Sequence, residues 1–454
     1  MKIKTHTGDR YVYMTATPVP KLILELAVPT ILSMLVTGIY NTADTFFVGR
    51  ISTQATAAVG LVFSVMAIIQ AFGFLCGHGS GNYLSRMLGA GNQKEANEMA
   101  STGFAISILL GLLLMAAGLI FMDPITVFLG KGATAETLAE TKRYMRIILI
   151  GAPFMTGQFV INNQLRFQGS AVYAMIGILT GAALNIVMDP VFIFVFHLGV
   201  AGAALATICG QIISFIVLLY GSRQGENIRL SIRDVHFSRH YVLELINGGI
   251  PSLFRQGLAS ISTILLNTSA GTWGGDAAIA GMSVATRVLM LIVSCVIGFG
   301  QGYQPVCSFN YGAGLRRRVR EGYFFSLKWS TIFLAITGGI CFVFAPQVAA
   351  IFRDDPEVIK VASSALRYQM AVIPLAGTIF MTNMMLQSIG LGVKASIMSS
   401  SRNGLFFIPM ILILPRLFGL TGVELTQPAA DVLTFMLSVP FAYFELKKMK
   451  NDRR

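Results

Sequence analysis

The sequence predicts an all-α polytopic membrane protein, with twelve transmembrane helices in two pseudo-symmetric six-helix bundles around a central cleft. Three observations carry that reading. Of 454 residues, 54% are hydrophobic and only 12% charged, and the mean hydropathy is +0.68, a balance suited to lipid rather than water as solvent. Apolar stretches of roughly 18 to 25 residues recur along the whole chain, each long enough to cross about 30 Å of hydrocarbon as a helix. The chain also resembles itself at an offset of about 222 residues.

The predicted spans lie near residues 22–48, 57–80, 100–122, 143–166, 171–196, 200–221, 242–270, 277–304, 323–348, 364–388, 395–415 and 420–446. The first apolar run follows Lys21, lacks a small-residue cleavage site and is too long for the core of a signal peptide, so it is expected to stay as span 1. Cys76, Cys209, Cys295, Cys307 and Cys341 fall in or at the ends of apolar runs with no CxxC pair among them, and they read as small packing residues.

The net charge of +13 is distributed by topology and does not call for nucleic acid. With a cytoplasmic N-terminus, the inside segments carry or adjoin about twenty-two of the 34 Lys and Arg residues, the bias that anchors an even number of spans with both ends inside. The cluster Arg316, Arg317, Arg318 and Arg320 is read as a headgroup anchor.

The internal repeat shows in punctuation. Pro29, Gly77-His78-Gly79 and Leu88-Gly89-Ala90-Gly91 are answered by Pro251, Gly300-Gln301-Gly302 and Tyr311-Gly312-Ala313-Gly314. Arg143-Tyr144 answers to Arg367-Tyr368, and Leu198 to Gly202 answers to Phe418 to Gly422. The expected organisation is a cytoplasmic segment 1–20, a first lobe 21–221, a linker 222–241, a second lobe 242–446 and a basic tail 447–454. Six helices per repeat give both lobes one orientation, a pattern suited to rocking around a central site. Gly77-His78-Gly79-Ser80-Gly81 is not a nucleotide loop, because no strand precedes it and no Walker lysine follows.

Ionisable side chains within a bilayer are costly and therefore candidates for function. They are Asp44, Asp189, Arg255, Arg287, Arg402, Glu424 and Asp431. At 1.5 Å per residue Asp44 lies about 35 Å along span 1, Asp189 about 28 Å along span 5 and Thr207 about 12 Å below the outer surface on span 6. All three then belong to the outer half of the first lobe. Asn185 and Asp189 are spaced i, i+4 and share a helix face. Two carboxylates, an amide and a hydroxyl form an all-oxygen set suited to a proton or a small hard cation. Asp44 as a solvated edge residue and Asp189-Pro190 as a helix-end cap are the structural alternatives. The second lobe offers Asn267 or Ala270 opposite Asp44 and an apolar region, Pro409 to Ile411, opposite Asp189, so only one lobe keeps the acids. Arg287 and Asp431 are expected to form a structural ion pair in the second lobe, and Glu424 to be solvated near the outer end of span 12.

The stretch Asn41-Thr42-Ala43-Asp44-Thr45-Phe46-Phe47-Val48-Gly49-Arg50, then Ser85-Arg86-Met87-Leu88-Gly89-Ala90-Gly91, then Asn185-Ile186-Val187-Met188-Asp189-Pro190, then Gly199-Val200-Ala201-Gly202-Ala203-Ala204-Leu205-Ala206-Thr207 resembles the MATE family (multidrug and toxic compound extrusion). The likeness covers about residues 18 to 446 and is nearest the prokaryotic exporter branch that keeps its acids in the first lobe. It implies antiport of amphipathic, often cationic small molecules from the cell by a plasma-membrane carrier, a monomer without cofactor that takes H+ or Na+ as coupling ion. It also implies that Asp44, Asn185, Asp189 and Thr207 form the cation site, with Tyr144 and Asn162 of span 4 as polar partners. Tyr144 alone reads more readily as an interfacial aromatic, since Tyr368 has the same flank. Relatives in another branch carry acids on spans 7 and 10, where this chain has Arg255 and none, so a second-lobe sodium site is not expected.

Two other classes were weighed. A lipid or lipid-linked oligosaccharide flippase needs a strongly cationic cavity, to which only Arg255, Arg287 and Arg402 contribute. A membrane enzyme needs a clustered catalytic set, and His6, His78, His197, His236 and His240 read as end, loop or linker residues.

Overall fold

In hydrocarbon a helix satisfies its own backbone, and the described residues contain helices and no strands. The computed structural model describes residues 7–131 and 133–451. Residues 1–6, with His6, the last three residues of the basic tail and the side chains of Asn41 and Thr42 lie outside the described residues.

A short helix α1 (Thr7–Ala16) precedes α2 (Val19–Gly49), α3 (Thr53–Gly89), α4 (Gln93–Ile120), the short α5 (Met122–Leu129), α6 (Ala135–Phe167), α7 (Ala171–Pro190) and α8 (Gly199–Ser222). After the linker come α9 (Arg239–Gly312), α10 (Arg316–Val343), the short α11 (Ala345–Phe352), α12 (Pro356–Val372), α13 (Leu375–Ser388), α14 (Gly392–Ser400), α15 (Phe407–Phe418) and α16 (Leu420–Asn451). The 74 residues of α9 would run about 111 Å as one rod, far more than a bilayer. Gly275 divides them, at φ 65° and ψ −158°, a region open only to glycine. The α12 and α13 pair bends by 60°, and a π-helical turn, Ser401–Leu405, joins α14 to α15. With α9 as two arms and α12–α13 and α14–α15 as one span each, twelve spans result.

The two halves repeat down to backbone detail. Left-handed glycines close corresponding turns: Gly91 (φ 77°) and Gly314 (φ 75°), Gly169 (φ 84°) and Gly390 (φ 87°), Gly199 (φ 57°) and Gly419 (φ 59°). Exposed Leu24, Leu113, Ile216, Ile264 and Phe444 form part of an apolar outer face that needs lipid to cover it.

The halves meet at the end that carries α1, the linker and the end of α16. There the C-terminal part of α3, one face of the start of α9 and the C-terminal part of α9 are buried. A Cβ on Gly89 would fall 2.0 Å from the Phe309 carbonyl oxygen, and one on Gly312 1.9 Å from that of Arg86, so the repeat-related glycines let two backbones touch. Polar contacts complete the seal. Ser308 Oγ donates to Asn82 Oδ1 at 3.2 Å, Arg86 donates to the Ser388 carbonyl at 3.2 Å, and Arg86 pairs with Glu244 at 3.1 Å. Toward the other end, α2, α3 and the first arm of α9 are mostly partly or fully exposed, and the halves part around a cleft.

The linker is tied to the first half, where the Ile228 and Ser231 amides donate to Gln168 Oε1 (2.7 Å) and Ser101 Oγ (3.1 Å). Two expectations change here. Arg318 is not a headgroup anchor, because it donates to Asn310 Oδ1 at 2.9 Å and to the Thr17 carbonyl at 2.5 Å, just beyond the end of α1. His78 is no loop residue: it lies inside α3 and is fully buried.

Candidate functional site

Asp189 sits one residue before the end of α7, and Pro190 after it has no N–H to give. The next turn opens into a π-helical one, Val191–Val195, with the Phe196 amide bonded to the Val191 carbonyl at 3.0 Å. His197 (φ 52°) and Gly199 then reverse the chain into α8. A Cβ on Gly210 would lie 2.8 Å from the Gly181 carbonyl and 3.3 Å from Asn185 Cβ. Backbone therefore packs on backbone between α7 and α8, which holds Asn185 in place.

Asn185 Nδ2 donates to Asp189 Oδ1 at 3.5 Å, and Asn185, Asp189 and Thr207 are all buried. Asp44, five residues before the end of α2, is partly buried and interacts electrostatically with Asp189. Fully buried Tyr144 of α6 faces the Thr207 hydroxyl and lies near both acids. Asp44 Oδ1, Asn185 Oδ1 and Asp189 Oδ2 are buried with no hydrogen-bond partner among the described residues. Unsatisfied buried oxygens are costly, and the three here come from two packed helices, an arrangement that a proton or a small cation would satisfy chemically. The surroundings of Asp189 disfavour the helix-end-cap alternative, because its side chain reaches the chamber rather than a helix start.

The structure brings Asp44, Asn185, Asp189, Thr207 and Tyr144 together. Asn162 stands apart: its Nδ2 donates to the Ala174 carbonyl at 3.0 Å, fifteen residues or about 22 Å along the helix from Asp189. Arg287 does not pair with Asp431. Arg287 is exposed, whereas buried Asp431 accepts from Arg402 Nε at 2.8 Å, Gln369 Nε2 at 2.7 Å and Gln427 Nε2 at 2.9 Å. Both arginines lie within apolar runs, and only the packing of α16 against the π-helical turn selects Arg402. Glu424 is buried and accepts from Ser364 Oγ at 2.8 Å, so it is not solvated.

Tyr40, near both acids, was missed from the sequence. Its i, i+4 spacing from Asp44 is the signal that marks it. Arg166, at the end of the predicted fourth span, is 3% exposed and donates to Gln301 Oε1 of the other half at 2.6 Å.

The family model described as MatE matches residues 29–191 and again 251–413, two stretches that begin 222 residues apart. The multidrug export protein MepA of Staphylococcus haemolyticus is 28% identical over 98% of both chains, and MepA of Staphylococcus aureus NCTC 8325 is 28% identical over the same shares. Among solved structures, a MATE in complex with MaL6 superposes with a TM-score of 0.91 at 27% identity, covering 97% of this chain and 99% of that one. An outward-facing MATE transporter superposes with a TM-score of 0.91 at 27% identity, covering 99% and 100%. These relatives do not favour the lipid-flippase alternative. With the family model matched across both halves of a twelve-span helical fold, the chain belongs to the MatE family and is a membrane transporter, not an enzyme.

Proposed function

We propose that this transporter expels amphipathic small molecules, many of them cationic, in exchange for inward flow of H+ or Na+, by alternating access of the cleft between its halves. The observation that carries the coupling reading is the chamber of Asp44, Asn185 and Asp189, with three unsatisfied oxygens and, among the described residues, no basic side chain bonded to them. Asp44 and Asp189 hold the coupling ion, with Asn185, Thr207 and Tyr144 around them. Two aspartates in one dry pocket cannot both stay charged without a proton or cation. The seal at one end and the parted halves at the other correspond to one of the two states that rocking requires.

The carrier is placed in the plasma membrane, with the sealed end and both termini toward the cytoplasm. Its cleft lies within one chain, so a monomer suffices. Relatives that are multidrug exporters support the export direction and the substrate range. The test is uptake or release of a fluorescent amphipathic dye in proteoliposomes under an imposed pH or sodium gradient. Transport that follows one gradient and collapses with its dissipation is expected. Movement indifferent to both gradients would contradict the proposal.

A further inference from the structure

Beyond the coupling chamber, a second buried polar cluster lies where the two halves close. Arg166 of α6 donates through Nη1 to Gln301 Oε1 and through Nη2 to Asn163 Oδ1, and Nη2 lies 3.4 Å from His78 Nε2. Its Nε is buried without a partner among the described residues, and the His78 ring leans on the Phe74 backbone. Arg255 of α9 lies close enough to act electrostatically on both Arg166 and His78. It stands six residues, about 9 Å, beyond the Gly249 contact with the Leu75 carbonyl, which puts it on the floor of the cleft. Arg255 is partly exposed and makes no hydrogen bond or ion pair among the described residues. At the 222-residue offset Ser33 answers Arg255 and Ser388 answers Arg166, so the repeat itself does not call for this charge.

Two guanidinium groups from opposite halves thus come within electrostatic range of each other in a low-dielectric site, and no carboxylate among the described residues is bridged to either. A lobe-to-lobe hydrogen bond explains one arm of Arg166 but not Arg255, and like charges brought together here oppose closure. Beside them the Phe74 ring lies tilted against His78 at 5.4 Å and against Phe159 at 4.9 Å, and the two phenylalanines form an aromatic wall that is partly exposed.

The geometry points to an oxyanion subsite: Arg255, Arg166 and His78 take the carboxylate or phosphate end of an amphipathic substrate, while Phe74 and Phe159 take its apolar body. The forked donors of arginine fit such groups, and an anion between the two arginines relieves their repulsion and draws the halves together at the floor. The assignment rests on the export reading and extends the substrates to molecules that bear an anionic group.

The test is equilibrium binding in neutral detergent, by fluorescence anisotropy, of fluorescein and of rhodamine 6G, xanthene dyes of opposite charge. Wild type binds fluorescein, Arg255→Gln weakens it about tenfold or more while changing rhodamine 6G by less than about twofold, and Arg255→Lys falls between. Arg166→Gln, checked by thermal melting, shows the same selectivity. No gradient enters the measurement, so a failed coupling site leaves this result standing. Absence of fluorescein binding in wild type, an equal loss of both dyes in Arg255→Gln, or displacement of fluorescein by submillimolar inorganic phosphate would overturn the assignment.

Discussion

Asp189 and Asp431 are both buried aspartates, yet their surroundings give them opposite duties. Asp431 neutralises Arg402 and accepts from two glutamines. Removing its charge strands a guanidinium that is 14% exposed. Asp431→Asn is therefore expected to lower stability by about 3 kcal/mol, seen as an early melt in detergent, while the protein that remains folded still couples transport to the gradient. Complete loss of coupling with normal folding in Asp431→Asn would show that the cation site had been assigned to the wrong half. At this scale the sequence revealed the acids but not their partners. Asp44, Asn185 and Asp189 were legible because acids are rare in apolar runs and i, i+4 spacing fixes a face. The choice of Arg402 over Arg287 was not, because it depends on how helices distant in sequence rotate against one another.

Elements were legible where they are long and apolar, and less so where they are short or broken. The twelve runs appear as spans with most ends shifted outward, since helices extend past the hydrocarbon into the headgroups, whereas the predicted ends at 122 and 348 overran helices that stop at Ile120 and Val343. Short α1, α5 and α11 escaped, being too short to give a membrane signal. The 60° bend between α12 and α13 falls at Pro374, whose missing N–H weakens the ladder there. The closed end depends on glycine. In a background without the five native cysteines, Ser308→Cys should be protected from a polar thiol reagent, because Ser308 is fully buried at the seal. Adding Gly312→Val places side-chain atoms where the Arg86 carbonyl now stands, and the thiol should label several-fold faster. Unchanged labelling would mean that this contact does not hold the end shut.

For the whole molecule, the duplication that was legible as a 222-residue offset becomes two halves that touch at one end and part at the other. Such a shape performs work only if the contact alternates. Cysteines at partly exposed Met34 on α2 and exposed Ser260 on the first arm of α9 should change labelling when drug or gradient is applied. Constant labelling under every condition would remove alternating access. The central claim is that Asp44 and Asp189 are alternately charged and cation-occupied in each cycle, and the most direct test pairs dye efflux in proteoliposomes with thermal stability in detergent for Asp44→Asn and Asp189→Asn. Asparagine keeps the volume and part of the hydrogen bonding but cannot trade a charge for a cation. Gradient-driven efflux falling to background in both variants, with melting little changed, is the predicted result, and Asn185→Ala and Thr207→Ala should fall between these and wild type. Efflux near wild type in both aspartate variants, with a stability loss of about 1 kcal/mol as for a helix-end residue, would contradict it.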